Sequence, residues 1–152
     1  MQNLDTTHRE EISQGRLVVP AGGGKTSFID VRDIADVVVL CLLDTELHCN
    51  KAYEISGEEA LDYYQVAALL STELGFAVHY ESPSLWTFAR YQRHKGTPWA
   101  FVLVMAALYT VARLGMAANI THELSTLLGR APRTIADYVH DYRQAWLLPG
   151  EK

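Results

Sequence analysis

Ser27-Phe-Ile-Asp30-Val-Arg-Asp33-Ile-Ala-Asp36 is the stretch on which the fold turns. Ser27–Asp30 reads as a short strand. Asp30 is placed to cap the helix that follows, and Asp33 falls in its first turn, where negative charge meets the positive end of the helix dipole. That helix is expected over about 32–44, and its apolar run Val37-Val-Val-Leu-Cys-Leu-Leu43 predicts burial on most sides. A strand feeding directly into a capped helix is the unit of an α/β fold. Upstream, Met1–Gln14 is polar and helix-compatible, Gly15 is a natural stop, and Arg16–Val19 reads as a strand broken by Pro20. Downstream, Lys51-Ala-Tyr-Glu-Ile-Ser56 alternates as a strand does, with Gly57 to end it. Asp62 and Gln65 form a capping-box pattern for a helix that carries Val66, Leu69, Leu70 and Leu74 on one face and stops at Gly75. Phe76–Tyr80 is a further strand. After Pro83 the pattern turns helical, over about 84–94, 98–116, 120–128 and 133–147, with Thr134 and Asp137 as a second capping box.

Four brief strands do not by themselves make a parallel sheet covered on both faces. The first half therefore reads as the outer part of a larger sheet, with something missing on its N-terminal side. The chain of 152 residues is 49% hydrophobic and 20% charged, enough for one domain with a real core, expected over 1–152. A net charge of −5 argues against a nucleic-acid partner, which needs clustered Lys and Arg. Thr97–Ala112 carries no charge, but its 16 residues fall short of the roughly 20 that cross a bilayer, so a buried or partner-packed helix is expected and no membrane span. Cys41 sits in the apolar run and Cys49 in a polar connector, without a CxxC partner. No zinc site is expected, and a reduced, cytoplasmic setting is.

Several patterns invite chemistry and do not carry it. Gly22-Gly-Gly-Lys-Thr26 suggests a phosphate loop, but the position of the first required glycine is Val19, and a β-type run rather than a helix follows. A hairpin turn is expected there. The six histidines, at 8, 48, 79, 94, 122 and 140, are scattered, as surface or hydrogen-bonded residues are, and no metal ligand is expected. No nucleophile elbow occurs, and no Gly-x-Gly-x-x-Gly follows a strand, so no catalytic and no cofactor-binding residue is assigned. The aromatic set Trp86, Phe88, Tyr91, Trp99, Phe101 and Tyr109 falls within 24 residues; such spacing reads first as core packing, and otherwise as a pocket lining or an oligomer face. Trp86, Tyr91 and Trp99 are the candidate pocket residues.

Three stretches together resemble the NmrA-like family of atypical short-chain dehydrogenases. They are Ser27-Phe-Ile-Asp-Val-Arg-Asp-Ile-Ala-Asp36, Lys51-Ala-Tyr-Glu-Ile-Ser-Gly57 with the helix ending Glu73-Leu-Gly75, and Leu127-Leu-Gly-Arg-Ala-Pro-Arg-Thr134. The resemblance covers essentially the whole chain. Met1-Gln2-Asn3-Leu4 is similar to a segment that follows a mid-fold strand of the family, which places this chain in the C-terminal half. What the resemblance implies for a complete member is a Rossmann-type domain binding NAD(P), with reductase activity on a small quinone-like or aromatic substrate, or redox sensing. For this chain it implies a position for Met1 and Asn3 near the nicotinamide end, and a substrate-side tail. Tyr91 and Lys95 have the Tyr-x-x-x-Lys spacing of classical short-chain dehydrogenases, but in the wrong half, and are read as coincidence.

The fold expected is therefore α/β: incomplete Rossmann-type outer strands and helices over 1–83, then a mostly helical substrate-side subdomain over 84–152. The function expected is the substrate-side portion of an NmrA-like NAD(P)-dependent oxidoreductase or redox sensor, without a cofactor of its own. A free-standing module that binds a small molecule or a protein is the alternative. A small apolar or aromatic ligand and a homodimer are the partners expected, because an open sheet edge and the charge-free run both need covering.

Overall fold

The computed structural model describes residues 1–147, so the last five positions of the expected tail, 148–152, lie outside the described residues. The element order is α1 (Arg9–Ser13), β1 (Arg16–Val18), β2 (Lys25–Ser27), α2 (Val31–Leu43), α3 (Thr45–His48), β3 (Ala60–Asp62), α4 (Tyr63–Leu74), β4 (His79–Glu81), α5 (Leu85–His94), α6 (Trp99–Arg113), α7 (Glu123–Leu128) and α8 (Ile135–Tyr142), closed by a 3₁₀ turn at Arg143–Ala145. The fold is α/β, as expected, with helices dominant.

The strands form two pairs rather than one row. β1 runs parallel to β4, with Leu17 opposite Tyr80, and β2 runs antiparallel to β3, with Thr26 opposite Leu61. Three expected strands are corrected. Pairing takes 25–27 rather than 27–30, because Phe28 packs edge-on against Tyr63 at 5.7 Å and the Asp30 side chain is committed to capping Arg32 N of α2 at 2.9 Å. Pairing also takes 79–81 rather than 76–80. Lys51–Ser56 has no strand partner among the described residues. Its polar groups go instead to the segment before α7: Thr121 Oγ1 donates to Glu54 O, Thr121 N donates to Ser56 Oγ at 2.8 Å, and Glu54 N donates to Glu123.

The glycine-rich turn is not a hairpin, since β1 and β2 belong to different sheets. It is a turn closed by Gly24 N on Ala21 O at 3.0 Å, and it presses against the end of α6. A Cβ on Gly24 would lie 2.1 Å from Ala112 O, so only glycine fits that approach.

The caps read from sequence are present. Asp62 and Gln65 close α4 reciprocally, Gly75 ends it at φ +77°, and Thr134 and Asp137 close α8. The core gathers Ile12, Leu17, Val66, Leu70, Phe88 and Tyr138, and Trp146 donates from Nε1 to Leu4 O at 3.1 Å, tying the tail to the first turn.

Two apolar segments are less buried than their composition predicts. Along α2 only Asp33 and Val37 are buried, while Leu42 and Leu43 are 72% and 83% exposed. The helix packs mainly against the short α3 and α7, which shield a single face. In α6 the stripe Val102, Met105, Tyr109 and Ala112 is buried and Leu103 and Leu108 face outward. No helix among the described residues is long and apolar enough to cross a membrane.

The motifs at the two ends of the chain meet. Asp33, fully buried, receives Arg130 Nη2 at 2.7 Å, Arg133 N at 2.8 Å and the Arg133 guanidinium. The close passage of Gly57 by Phe28 O, where a Cβ would fall at 1.9 Å, locks the middle motif to the first. These signatures are therefore structural clamps.

Candidate functional site

The first eight residues form backbone turns rather than a regular element, and further bonds tie them to the start of α2. Gln2 donates from Nε2 to Asp30 Oδ1 at 3.0 Å and accepts from Val31 N at 3.1 Å, so its amide is stapled to the start of α2. Met1 N donates to Ile29 O at 2.7 Å. Between this segment, β2 with the residues after it, and α6 lies a cavity of about 380 Å³. Met1, Asn3, Leu4, Thr7 and His8 form one wall, Thr26–Ile29 the second, and Phe101, Met105, Leu108 and Tyr109 the third, with Tyr63 also lining it. No Asp, Glu, Lys or Arg lines the space. An apolar concavity with a few neutral polar groups suits a small uncharged molecule.

Its polar centre is His8, whose Nε2 lies 2.5 Å from the Tyr109 hydroxyl. His8 is 1% exposed, and that burial pushes its pKa down to about 4, against the attraction of Glu11 and with some help from Lys95. Burial likewise raises Tyr109 well above the ordinary phenol, and pushes Tyr63 up to about 12. At neutral pH the pair is therefore uncharged. Behind His8, one helical turn on, the buried Glu11 receives Lys95 Nζ at 2.9 Å and the Tyr91 hydroxyl at 3.3 Å.

The candidate residues separate into groups. Met1 and Asn3 line the cavity. Tyr91 and Lys95 converge on Glu11, and Tyr91 borders a different, open depression with Arg16 and Glu81. Trp86 is 70% exposed, and Trp99 is half-exposed with the Arg93 guanidinium 5.2 Å above its ring; neither touches the cavity. Of the aromatic set, Phe88 and Tyr109 are core and Phe101 joins Tyr109 in the cavity wall. Sequence reading missed His8 and Tyr109. A hydroxyl on the apolar stripe Val102, Met105, Ala112 is a signal for Tyr109, since a buried phenol usually finds a partner. His8 carries no such signal.

Other chemistries find less footing. No cluster of three or more His, Cys, Asp or Glu suited to a metal ion occurs among the described residues. Four helix N-termini are closed by their own side chains, Asp30 at α2, Asp62 at α4, Ser84 at α5 and Thr134 at α8, two of them carboxylates that repel an anion, while α6 opens at Pro98 without a side-chain cap.

No family model matches the chain. It is 33% identical over 146 residues to an NAD(P)H azoreductase of Xenophilus azovorans, covering 96% of this chain and 51% of the relative. It is 32% identical over 128 residues to an agroclavine dehydrogenase of Claviceps fusiformis, covering 84% of this chain and 44% of that one. The fold is that of a triphenylmethane reductase of Citrobacter solved with NADP(H), with a TM-score of 0.80 and 24% identity over 91% of this chain and 47% of that structure. The chain spans about half the length of the relatives it matches.

Proposed function

The chain belongs to an NAD(P)-binding reductase family, the NmrA-like one, and matches its C-terminal half, and from that position we propose that it forms the substrate-side wall of a reductase whose substrate is a small, uncharged, largely aromatic molecule. The observation that carries this reading is the cavity of about 380 Å³, lined by no acidic or basic side chain of Asp, Glu, Lys or Arg, between the Met1–His8 segment, β2 and α6. Apolar walls favour aryl groups by burial, and the thioethers of Met1 and Met105 pack well against ring edges. The name of one structural neighbour, a triphenylmethane reductase, describes a molecule of three aryl rings and agrees with that preference.

Family members bind NAD(P)H. No Gly-x-Gly-x-x-Gly follows a strand in the sequence, and among the described residues the starts of α2, α4, α5 and α8 turn side-chain oxygen atoms, not free amides, toward any anion, so the residues present do not make the usual pyrophosphate cradle. The part of the reaction assigned to this chain is therefore to bind and orient the substrate, and to exclude water from it.

Methionine methyl NMR tests the assignment. Of the three methionines, Met1 and Met105 line the cavity, while Met116 is 62% exposed elsewhere. Titration with 2-ethylnaphthalene is expected to shift the first two methyl signals and leave the third in place. Equal response of all three, or none, would remove the cavity as the ligand site.

A further inference from the structure

The His8–Tyr109 pair has a surplus hydrogen. A neutral imidazole carries one N–H and the phenol one O–H, and the 2.5 Å contact between Nε2 and the hydroxyl uses one of the two. If Tyr109 donates, the hydrogen on His8 Nδ1 is left over, and Nδ1 is buried without a partner. If Nε2 donates, the phenolic hydrogen is left over, and the Tyr109 hydroxyl has no second protein partner among the described residues. Either tautomer leaves one donor of the pair unspent; Nδ1 is closed off by the surrounding chain, so the hydrogen left for an acceptor in the cavity is the phenolic one of Tyr109, with His8 Nε2 donating to its oxygen. A donor in that condition costs about 1–3 kcal/mol until an acceptor reaches it.

We infer that the His8–Tyr109 pair is a neutral hydrogen-bond donor for the ligand, so that the cavity selects an aromatic molecule bearing one uncharged acceptor oxygen or nitrogen over its hydrocarbon and carboxylate counterparts. This rests on the cavity being the ligand site. The acceptor meets the surplus hydrogen while the rings lie against Phe101, Met105 and Leu108. A carboxylate is disfavoured because no Lys or Arg lines the space, the Met1 amino group is engaged by Ile29 O at 2.7 Å with burial lowering its pKa, and Lys95, behind His8, is already held by Glu11 at 2.9 Å and Glu10 at 3.0 Å.

Three probes of nearly one shape separate the possibilities: 2-acetylnaphthalene, 2-ethylnaphthalene and 2-naphthoate, titrated into the full chain and followed at the Met1 and Met105 methyls. The ketone is expected to bind about tenfold more tightly than the hydrocarbon, and the carboxylate most weakly. In the double variant His8→Leu/Tyr109→Phe, which removes both polar partners together, ketone and hydrocarbon are expected to bind alike. Independently of any variant, the infrared carbonyl stretch of the bound ketone is expected to fall below its value in hexane. Equal binding of ketone and hydrocarbon to the unaltered chain, a carboxylate that binds as well as the ketone, a preference that survives in the double variant, or an unshifted carbonyl stretch would each overturn the pair's role and leave the cavity standing. Failure of every probe to move Met1 and Met105 would remove the cavity and the donor site together.

Discussion

His8 titrates near pH 6.5 in an open chain and is held down to about 4 once buried beside Tyr109. A histidine whose folded pKa is depressed binds its proton more readily unfolded, so stability is lost as pH falls through the window from about 6.5 to 4 and levels off below it. The loss is on the order of 3 kcal/mol, at roughly 1.4 kcal/mol for each pH unit between the two values. Urea midpoints at pH 7.0 and 4.5 should therefore fall further for the native chain than for His8→Asn. Parallel declines in the two would mean that His8 is solvated. Tyr63 and Tyr109, raised by burial, stay protonated throughout this range.

At the scale of elements, the junction that opens α2 and the loop that enters α8 act as one clamp, with Asp33 at its centre. Its carboxylate takes three donors while fully buried, whereas Asp36, one turn on, meets the same two arginines from a side chain 47% exposed. Removing the buried partner leaves the Arg133 amide without its acceptor, while both guanidinium groups keep Asp36. Asp33→Ala is expected to cost about 2–3 kcal/mol, and Asp36→Ala about 1 kcal/mol or less. Chemical denaturation gives the energies, and hydrogen exchange at Arg133 N reports whether the loop has let go. Similar costs for both variants would show that Asp33 is not the anchor. The flanking capping boxes are local in sequence, four residues each, which is why both are legible in the amino-acid sequence. The fate of 51–56 is not legible in that way, because alternation signals a half-buried extended segment and says nothing of whether a neighbouring backbone or a set of side chains satisfies it.

Across the whole molecule, apolar side chains of α2 and α6 outside the cavity are left open, through Val38, Val39, Leu42 and Leu43 on one and Trp99 and Leu103 on the other. Such patches are larger than scattered surface residues and favour association. The isolated chain is accordingly expected to sediment above its 17.0 kDa monomer mass at micromolar concentration, and Leu42→Glu/Leu43→Glu or Leu103→Glu to restore the monomer, identifying the face used. A clean monomer of the native chain would end the expectation. The sequence by itself determined the helices after Pro83, the caps, the stop at Gly75 and the family motifs in their order, because each is written in residues within a few positions of one another. Only the tertiary structure decided that β1 pairs with β4, that α2 turns most of its apolar run outward, and that His8 meets Tyr109, 101 positions away, in a cavity lined by no Asp, Glu, Lys or Arg. Those outcomes depend on which surfaces come to lie opposite one another, and a residue's neighbours along the chain hold no record of its neighbours across the core.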